Sequence, residues 1–383
     1  MNIAGFIVFS LMLLSIAVFH KRAFECALAG LVILIFLKYA EGNFSLSEHL
    51  AGNATQTGEW KILLNLFGLL TGFEVLSNYF TRSGIPRHLP KFLPDDWKGG
   101  FVLLAFVFIL SSFLDNIAAA VIGGTIARVV FRQKVHIGFI AAIVAASNAG
   151  GSGSVLGDTT TTMMWISGIS PSAVMDAYIG SIVAFFCFAV IASRQQDKYQ
   201  RILKDKPSGE TPDLVLVVII LLILLATALS NALIDFPAAG LWGILLLTGF
   251  VRKFPWNEVQ RSLKGSIFLL ALVMAASLLP VHELPSPSVK STFFLGMLSS
   301  VFDNIPLTKI SLEQGGYDWG LLAYAVGFGG SMIWFGSSAG VALSNLYPGS
   351  RSVFSWLKNG WHIAAAYVIG FATYLLIAGW HPM

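Results

Sequence analysis

Charge is scarce in this chain. Asp, Glu, Lys and Arg together make up 11% of the 383 residues, whereas a soluble globular domain carries roughly 25%. That excludes a soluble enzyme. Cysteine is nearly absent as well: Cys26 and Cys187 sit in apolar stretches with no Cys or His at metal-ligand spacing, so neither a disulfide framework nor a cysteine-based metal site is expected. The histidines do not fill that gap, since His136 and His362 fall near segment ends where structural roles suffice. A net charge of +4 would point a soluble domain towards nucleic acid. In so uncharged a chain it reads as membrane topology, and no nucleic-acid partner is expected.

What the chain has in abundance is apolar sequence: 56% hydrophobic residues and a mean hydropathy of +0.75. Apolar segments fall at 3–19, 23–39, 62–80, 99–113, 117–130, 136–149, 156–166, 174–192, 213–232, 237–251, 266–280, 291–302, 319–335, 338–347 and 358–380. Many have the roughly 17–25 residues that cross a hydrocarbon core. The expectation is an all-α polytopic membrane protein with the lipid bilayer as its solvent. Residues 3–19, with Lys21 and Arg22 behind them, read as a retained span rather than a signal peptide.

Some segments are too short to cross. Residues 99–113 and 117–130 flank Asp115-Asn116, and 291–302 runs into Asp303-Asn304; each reads as a re-entrant hairpin, tolerated at membrane depth where protein or a polar cavity surrounds it. GGSGSVLGD at 150–158 and GGSMIWFGSSAG at 329–340 read as breaks in otherwise continuous spans. The two halves share this plan: SSFLDNIAAAVI at 111–122 returns as SSVFDNIPLTKI at 299–310, and GSG at 151–153 as GSS at 336–338. Each half then has three spans, a hairpin, a broken span and a final span, giving ten spans plus two hairpins. Five crossings per half is an odd number, so the halves form inverted-topology repeats, residues 1–192 and 212–383, joined by a basic cytoplasmic linker at 193–211.

With the N-terminus outside, all but Lys38, Lys61, Lys290 and Lys309 of the 24 basic residues fall in cytoplasmic connections, as the positive-inside rule requires. Both termini are then outside, in a bacterial-type inner membrane.

Ionisable groups at membrane depth are functional candidates by default. Asp115 and Asp303 occupy equivalent hairpin tips, Asp158 follows the first break, and Glu74 lies in the third span. Around them stand oxygen donors: Asn116, Asn148, Ser152, Ser154, Thr159, Asn304, Ser337 and Ser338. Oxygen shells of this kind hold hard monovalent cations, and carbonyls freed at broken helices add to them. Asp176 is a secondary candidate. Lys309 is the one nearby cation that could neutralise a carboxylate substrate. Competition between proton and cation for shared carboxylates suffices for antiport. The plainer readings are that an Asp-Asn pair caps a helix and that the glycines mark close helix packing; the internal duplication weighs against the first, the surrounding Ser and Asn against the second.

The strings ASNAGGSGSVLGDTTTTMMW, SSVFDNIPLTKI and WGLLAYAVGFGGSMIWFGSSAGVAL resemble the NhaD-type sodium/proton antiporters, within the ion transporter superfamily that also holds citrate, dicarboxylate and arsenite carriers. The resemblance implies a homodimer in which a scaffold carries a mobile unit, residues 99–192 and 291–383, moving by an elevator-type mechanism. It implies Na+ handling at Asp115, Asn116, Asp158, Thr159, Asp303 and Asn304, with Ser337 and Ser338 lining the second break. The organic-anion branch typically shows Ser-Asn-Thr at the tips, so Asp-Asn favours a cation. The expected function is exchange of Na+ or Li+ for H+, with no cofactor beyond the ions. The leading alternative is a Na+-coupled citrate or dicarboxylate symporter; a channel and a non-transporting scaffold follow.

Overall fold

The computed structural model describes residues 3–19, 22–42, 44–52, 58–203 and 211–383. Among them every regular element is helical. The order is α1 (Ile3–Val18), α2 (Ala23–Ala40), α3 (Leu46–Ala51), α4 (Trp60–Arg82), α5 (Ile85–His88), α6 (Trp97–Ser111), α7 (Asn116–Val130), α8 (Ile137–Gly151), α9 (Thr159–Ile166), α10 (Pro171–Met175) and α11 (Ala177–Tyr199). It continues with α12 (Leu214–Ile234), α13 (Pro237–Thr248), α14 (Trp256–Ser277), α15 (Val289–Ser299), α16 (Asn304–Gln314), α17 (Trp319–Gly329), α18 (Ser338–Leu346) and α19 (Val353–Ile377).

Among the described residues, six helical stretches are long and apolar enough to cross a membrane: 23–40, 60–82, 171–199, 214–234, 256–277 and 353–377. The protein is therefore an all-α, multi-pass membrane protein. Two expected boundaries move. The apolar run at 237–251 yields a helix of only 12 residues, about 18 Å long, shorter than the hydrocarbon core. The joint expected at 193–211 starts later, because α11 continues to Tyr199: Arg194, Gln195, Gln196 and Lys198 are good helix formers, and hydropathy marks the end of an apolar run rather than the end of a helix. Residues 204–210 of that joint, with Lys204 and Lys206, and Lys21 near the N-terminus lie outside the described residues.

Capping side chains set most helix starts. Ser288 and Ser291 form a reciprocal capping box at α15, Asp213 caps α12 and Asp318 caps α17, each oxygen taking up N–H groups left open at a helix start.

Two helices lie at the centre. Every residue of α17 is buried, as is α8 from Gly138 to Gly151. Helices hydrophobic all round belong in a core, and this sheath of protein lets both end within the molecule. Aromatic rings lock α17 to α19: Tyr324 and Phe328 stack near-parallel on Tyr367, and the Tyr324 hydroxyl donates to the carbonyls of Ala366 and Tyr367.

Candidate functional site

The chain folds back at residues 112–115 and 300–303, where α6 gives way to α7 and α15 to α16. Asp115 (φ −50°, ψ 142°) and Asp303 (φ −53°, ψ 142°) hold nearly the same backbone geometry, each side chain accepting from the N–H two residues on, of Ile117 and Ile305. Each fold-back packs against a break. Gly150 lies so close to α6 that a Cβ would stand 2.0 Å from the Phe108 carbonyl oxygen, and at Gly329 it would stand 2.1 Å from that of Gly296 on α15. At Gly157 and Gly336 a Cβ would meet the carbonyl oxygens of Ser111 and Ser300 at 2.0 and 2.5 Å. No other side chain fits at such distances.

These roles correct the match between the breaks. Gly150 corresponds to Gly329 and Gly157 to Gly336, so GGSGSVLGD aligns with GGSMIWFGS, not GSG at 151–153 with GSS at 336–338. Asp158, N-cap of α9, therefore corresponds to Ser337, N-cap of α18.

Asp158, 1% exposed, is the hub. Its Oδ2 accepts from Asn116 Nδ2 at 3.0 Å and from Asn304 Nδ2 at 3.4 Å, so both hairpins reach it. Its Oδ1 takes the backbone N–H of Thr160 at 3.0 Å. Asn116 Nδ2 also donates to Asn148 Oδ1 at 3.1 Å, and Asn148 Nδ2 donates to Ser331 Oγ at 3.0 Å and Ser337 Oγ at 3.1 Å. Five elements thus place polar side chains on one buried point: α7, α8, α16 and the two breaks. Ser338 Oγ donates to Asp303 Oδ2 at 2.9 Å, and Asp158 is near enough to both tip aspartates to interact electrostatically with each.

The remaining expected residues fall outside this point. Ser152 is buried but donates to the Ala149 carbonyl and shares a 2.7 Å hydrogen bond with Ser181. Ser154 ties the first break to the hairpin by donating to the Ser112 carbonyl at 2.6 Å. Thr159 is buried at the start of α9, while Thr161 and Thr162 donate to the carbonyls of Ser154 and Val155 and hold the break in shape. Asp176 is exposed, next to Gly320 at the start of α17. Glu74 and Asp115 line a cavity of about 200 Å³ with Ser262, Ser266 and Ser338. Among the described residues no three His, Cys, Asp or Glu side chains form a metal-ligand group; Asp158 is the one carboxylate inside the amide cluster.

Lys309 does not face the aspartates. It is 1% exposed, donates to both Glu59 carboxylate oxygens at 2.8 and 2.9 Å, and pairs again with Glu313 one turn along α16. Two glutamates pair with its charge in this structure. Among the described residues no Lys or Arg forms an ion pair with Asp115, Asp158 or Asp303. Sequence reasoning missed Glu59 and Ser331. Nothing in the sequence pairs Glu59 with Lys309, but Ser331 was readable, as the counterpart of Ser152 in the shared GGS.

The fold and site are those of a multi-pass helical membrane protein whose polar helix breaks converge on a buried carboxylate. Its sequence matches the family described as citrate transporter over residues 11–329, and the chain belongs to that family. It is 27% identical to sodium/proton antiporter 1 of Arabidopsis thaliana over 374 residues, covering 84% of this chain and 62% of the relative, so it spans less than two thirds of that protein's length. Sodium/proton antiporter 2 of the same plant is 25% identical over 370 residues, covering 83% of this chain and 85% of the relative. The Na(+)/H(+) antiporter NhaD of Vibrio cholerae is 26% identical over 329 residues, covering 70% and 68%.

Proposed function

We propose that this protein exchanges Na+ or Li+ for H+, and that the exchange takes place around Asp158. The observation that carries this reading is a buried carboxylate held only by neutral donors. Four helix starts meet here, those of α7, α9, α16 and α18. Each contributes about half a positive charge, so together they offset about two of the three carboxylates and leave about one negative charge for a cation or a proton to balance. Na+ binds through oxygens of Asp158, Asn148, Asn116 and Asn304, with Asp115, Asp303, Ser337 and Ser338 at the margins. The proton takes the same carboxylates when the cation leaves. The names of the similar antiporters support the choice of ions.

In this reading the halves are inverted repeats of an inner-membrane protein with both ends outside. Residues 99–192 and 291–383 move as an elevator against the rest, and two copies of the chain pair through the scaffold. The shared geometry of the two tips and the matching glycine contacts of the two breaks support the duplication.

The test is exchange in everted vesicles or proteoliposomes with an imposed pH gradient, followed by a pH-sensitive dye. Added Na+ or Li+ should dissipate the gradient, and Asp158→Asn should abolish the response. A second reading, Na+-coupled uptake of citrate or a dicarboxylate, is favoured by one feature: α18 alone among the four starts has an uncharged cap, Ser337, and helix starts attract anions. Labelled citrate or succinate uptake without a Na+ effect on the pH gradient would replace the first reading with the second.

A further inference from the structure

The ion-exchange reading uses the aspartates at the centre but leaves unexplained the buried pair of Glu59 and Lys309, with the exposed Glu313 beside it. Glu59 is the N-cap residue of α4, while Lys309 and Glu313 lie on α16, the second arm of the hairpin that carries Asp303 and Asn304. The same α4 supplies Glu74 to the cavity beside Asp115 and Ser338. Glu59 and Glu74 lie about 22 Å apart along the helix axis at 1.5 Å per residue. Helix α14 runs back along α4: Asn78, near the end of α4, donates to Glu258 in the first turn of α14 at 3.2 Å. At its far end Ser277 shares a 2.9 Å hydrogen bond with His49. The molecule is therefore open towards the site at the Glu74 end and clamped at the Glu59 end.

We propose that Glu59 and Lys309 form a latch that closes the Glu59 end while the site communicates with the Glu74 cavity, and that this latch must part in each transport cycle. The inference rests on the division into scaffold and mobile unit proposed above, because α4 belongs to the first and α16 to the second. Removing one partner from a buried ion pair strands the other charge, and such a pair is normally permanent. Here both sides have a fallback. Lys309 carries Glu313 with it on the same helix, so it stays paired when α16 leaves Glu59 behind. Glu59 stays at the start of α4, where the open N–H groups and the helix dipole stabilise a carboxylate. Two stable arrangements of one lysine suit a switching contact.

The two glutamates then have opposite effects. Losing Glu59 weakens only the latched state; losing Glu313 removes a partner of Lys309 from both states but weakens the unlatched one more, where Glu313 is its remaining partner. The experiment places a single reporter, Ser262→Cys, in the cavity of a chain whose Cys26 and Cys187 are replaced by Ala, and follows its rate of labelling by a soluble maleimide in proteoliposomes. Glu59→Gln should slow labelling by about threefold or more as the population moves away from the cavity-open state. Glu313→Gln should leave labelling as fast or faster, and slow ion exchange. Should point variants fold poorly, Glu59→Cys with Lys309→Cys in a chain that keeps Ser262 and is joined by a short thiol-bridging reagent should stop exchange until the bridge is cleaved. Equal labelling in all variants, shifts of the same sign for both glutamates, or exchange that survives the bridge would each overturn the latch. Labelling does not require transport, so a labelling shift in a chain that exchanges no ions upholds the latch and removes only the ion reading.

Discussion

At the scale of single residues, Asp158 has two jobs that substitution separates. It caps α9 through Thr160 N–H and carries the charge at the centre of the amide cluster. Asparagine caps a helix about as well as aspartate, so Asp158→Asn should keep the folded state within about 1 kcal/mol of the parent. Exchange should nonetheless fall by about 100-fold or more, since an amide at 158 takes up no proton and lacks the negative charge that balances the cation. Melting curves and vesicle assays on one preparation check both halves. His49 gives a pH prediction. Burial pushes its pKa below the ordinary 6.5, with the nearby Glu59 opposing. A depressed histidine pKa means that the unfolded chain takes up protons first as pH falls, so the stability it contributes is present above about pH 6.5 and is lost below it. The melting temperature in detergent should therefore drop as pH falls below about 6.5, and His49→Gln should flatten that part of the profile.

At the scale of elements, the breaks are built by glycines that admit a neighbouring backbone. Gly150→Ala would push a methyl to within 2.0 Å of the Phe108 carbonyl oxygen, and Gly329→Ala to within 2.1 Å of that of Gly296. Each should cost about 1–3 kcal/mol through overpacking, seen as a lower melting temperature with the hairpin displaced. Gly265→Ala, mid-helix in α14 where a Cβ meets nothing within 4 Å, is the control and should melt no lower than the parent, since alanine is the better helix former. The helix order was legible because apolar runs separated by Asp-Asn and Gly-Ser strings can fold in few ways. Asp115, Asn116, Asp158, Asp303 and Asn304 were legible because polar residues at membrane depth stand out. The pairing of the breaks was misread because string identity favoured GSG with GSS, whereas the backbone contacts pair the glycine doublets. The end of α11 was misplaced because its last turns are polar yet helical. Ser152 was taken into the site by its neighbourhood in the sequence; its hydroxyl turns instead to Ser181, a partner 29 residues away that no local pattern reveals.

At the scale of the whole molecule, topology rests on the bias of basic residues, and two positions test it directly. Lys253 lies between α13 and α14, and Lys290 in the first turn of α15. Placed as single cysteines in intact cells, Lys290→Cys should react with an impermeant maleimide from outside and Lys253→Cys only after permeabilisation. The reverse pattern would turn the molecule over and exchange the faces to which the cavity and the latch open. The distance between Glu59 and Lys309 in sequence explains why the clamped end was invisible beforehand: a contact across 250 residues is set by how two units dock.

The four helix starts are not equivalent, since three carry an acid and the one at Ser337 carries an alcohol. That single departure limits the valence of the site. With an acid at every start, the surplus would be about two negative charges, enough to hold a divalent ion that a monovalent one would struggle to displace. Ser337→Asp should accordingly make exchange sensitive to block by Ca2+ or Mg2+ where the parent is indifferent. In the proposed exchange, the alcohol would leave a monovalent cargo bound loosely enough to be released.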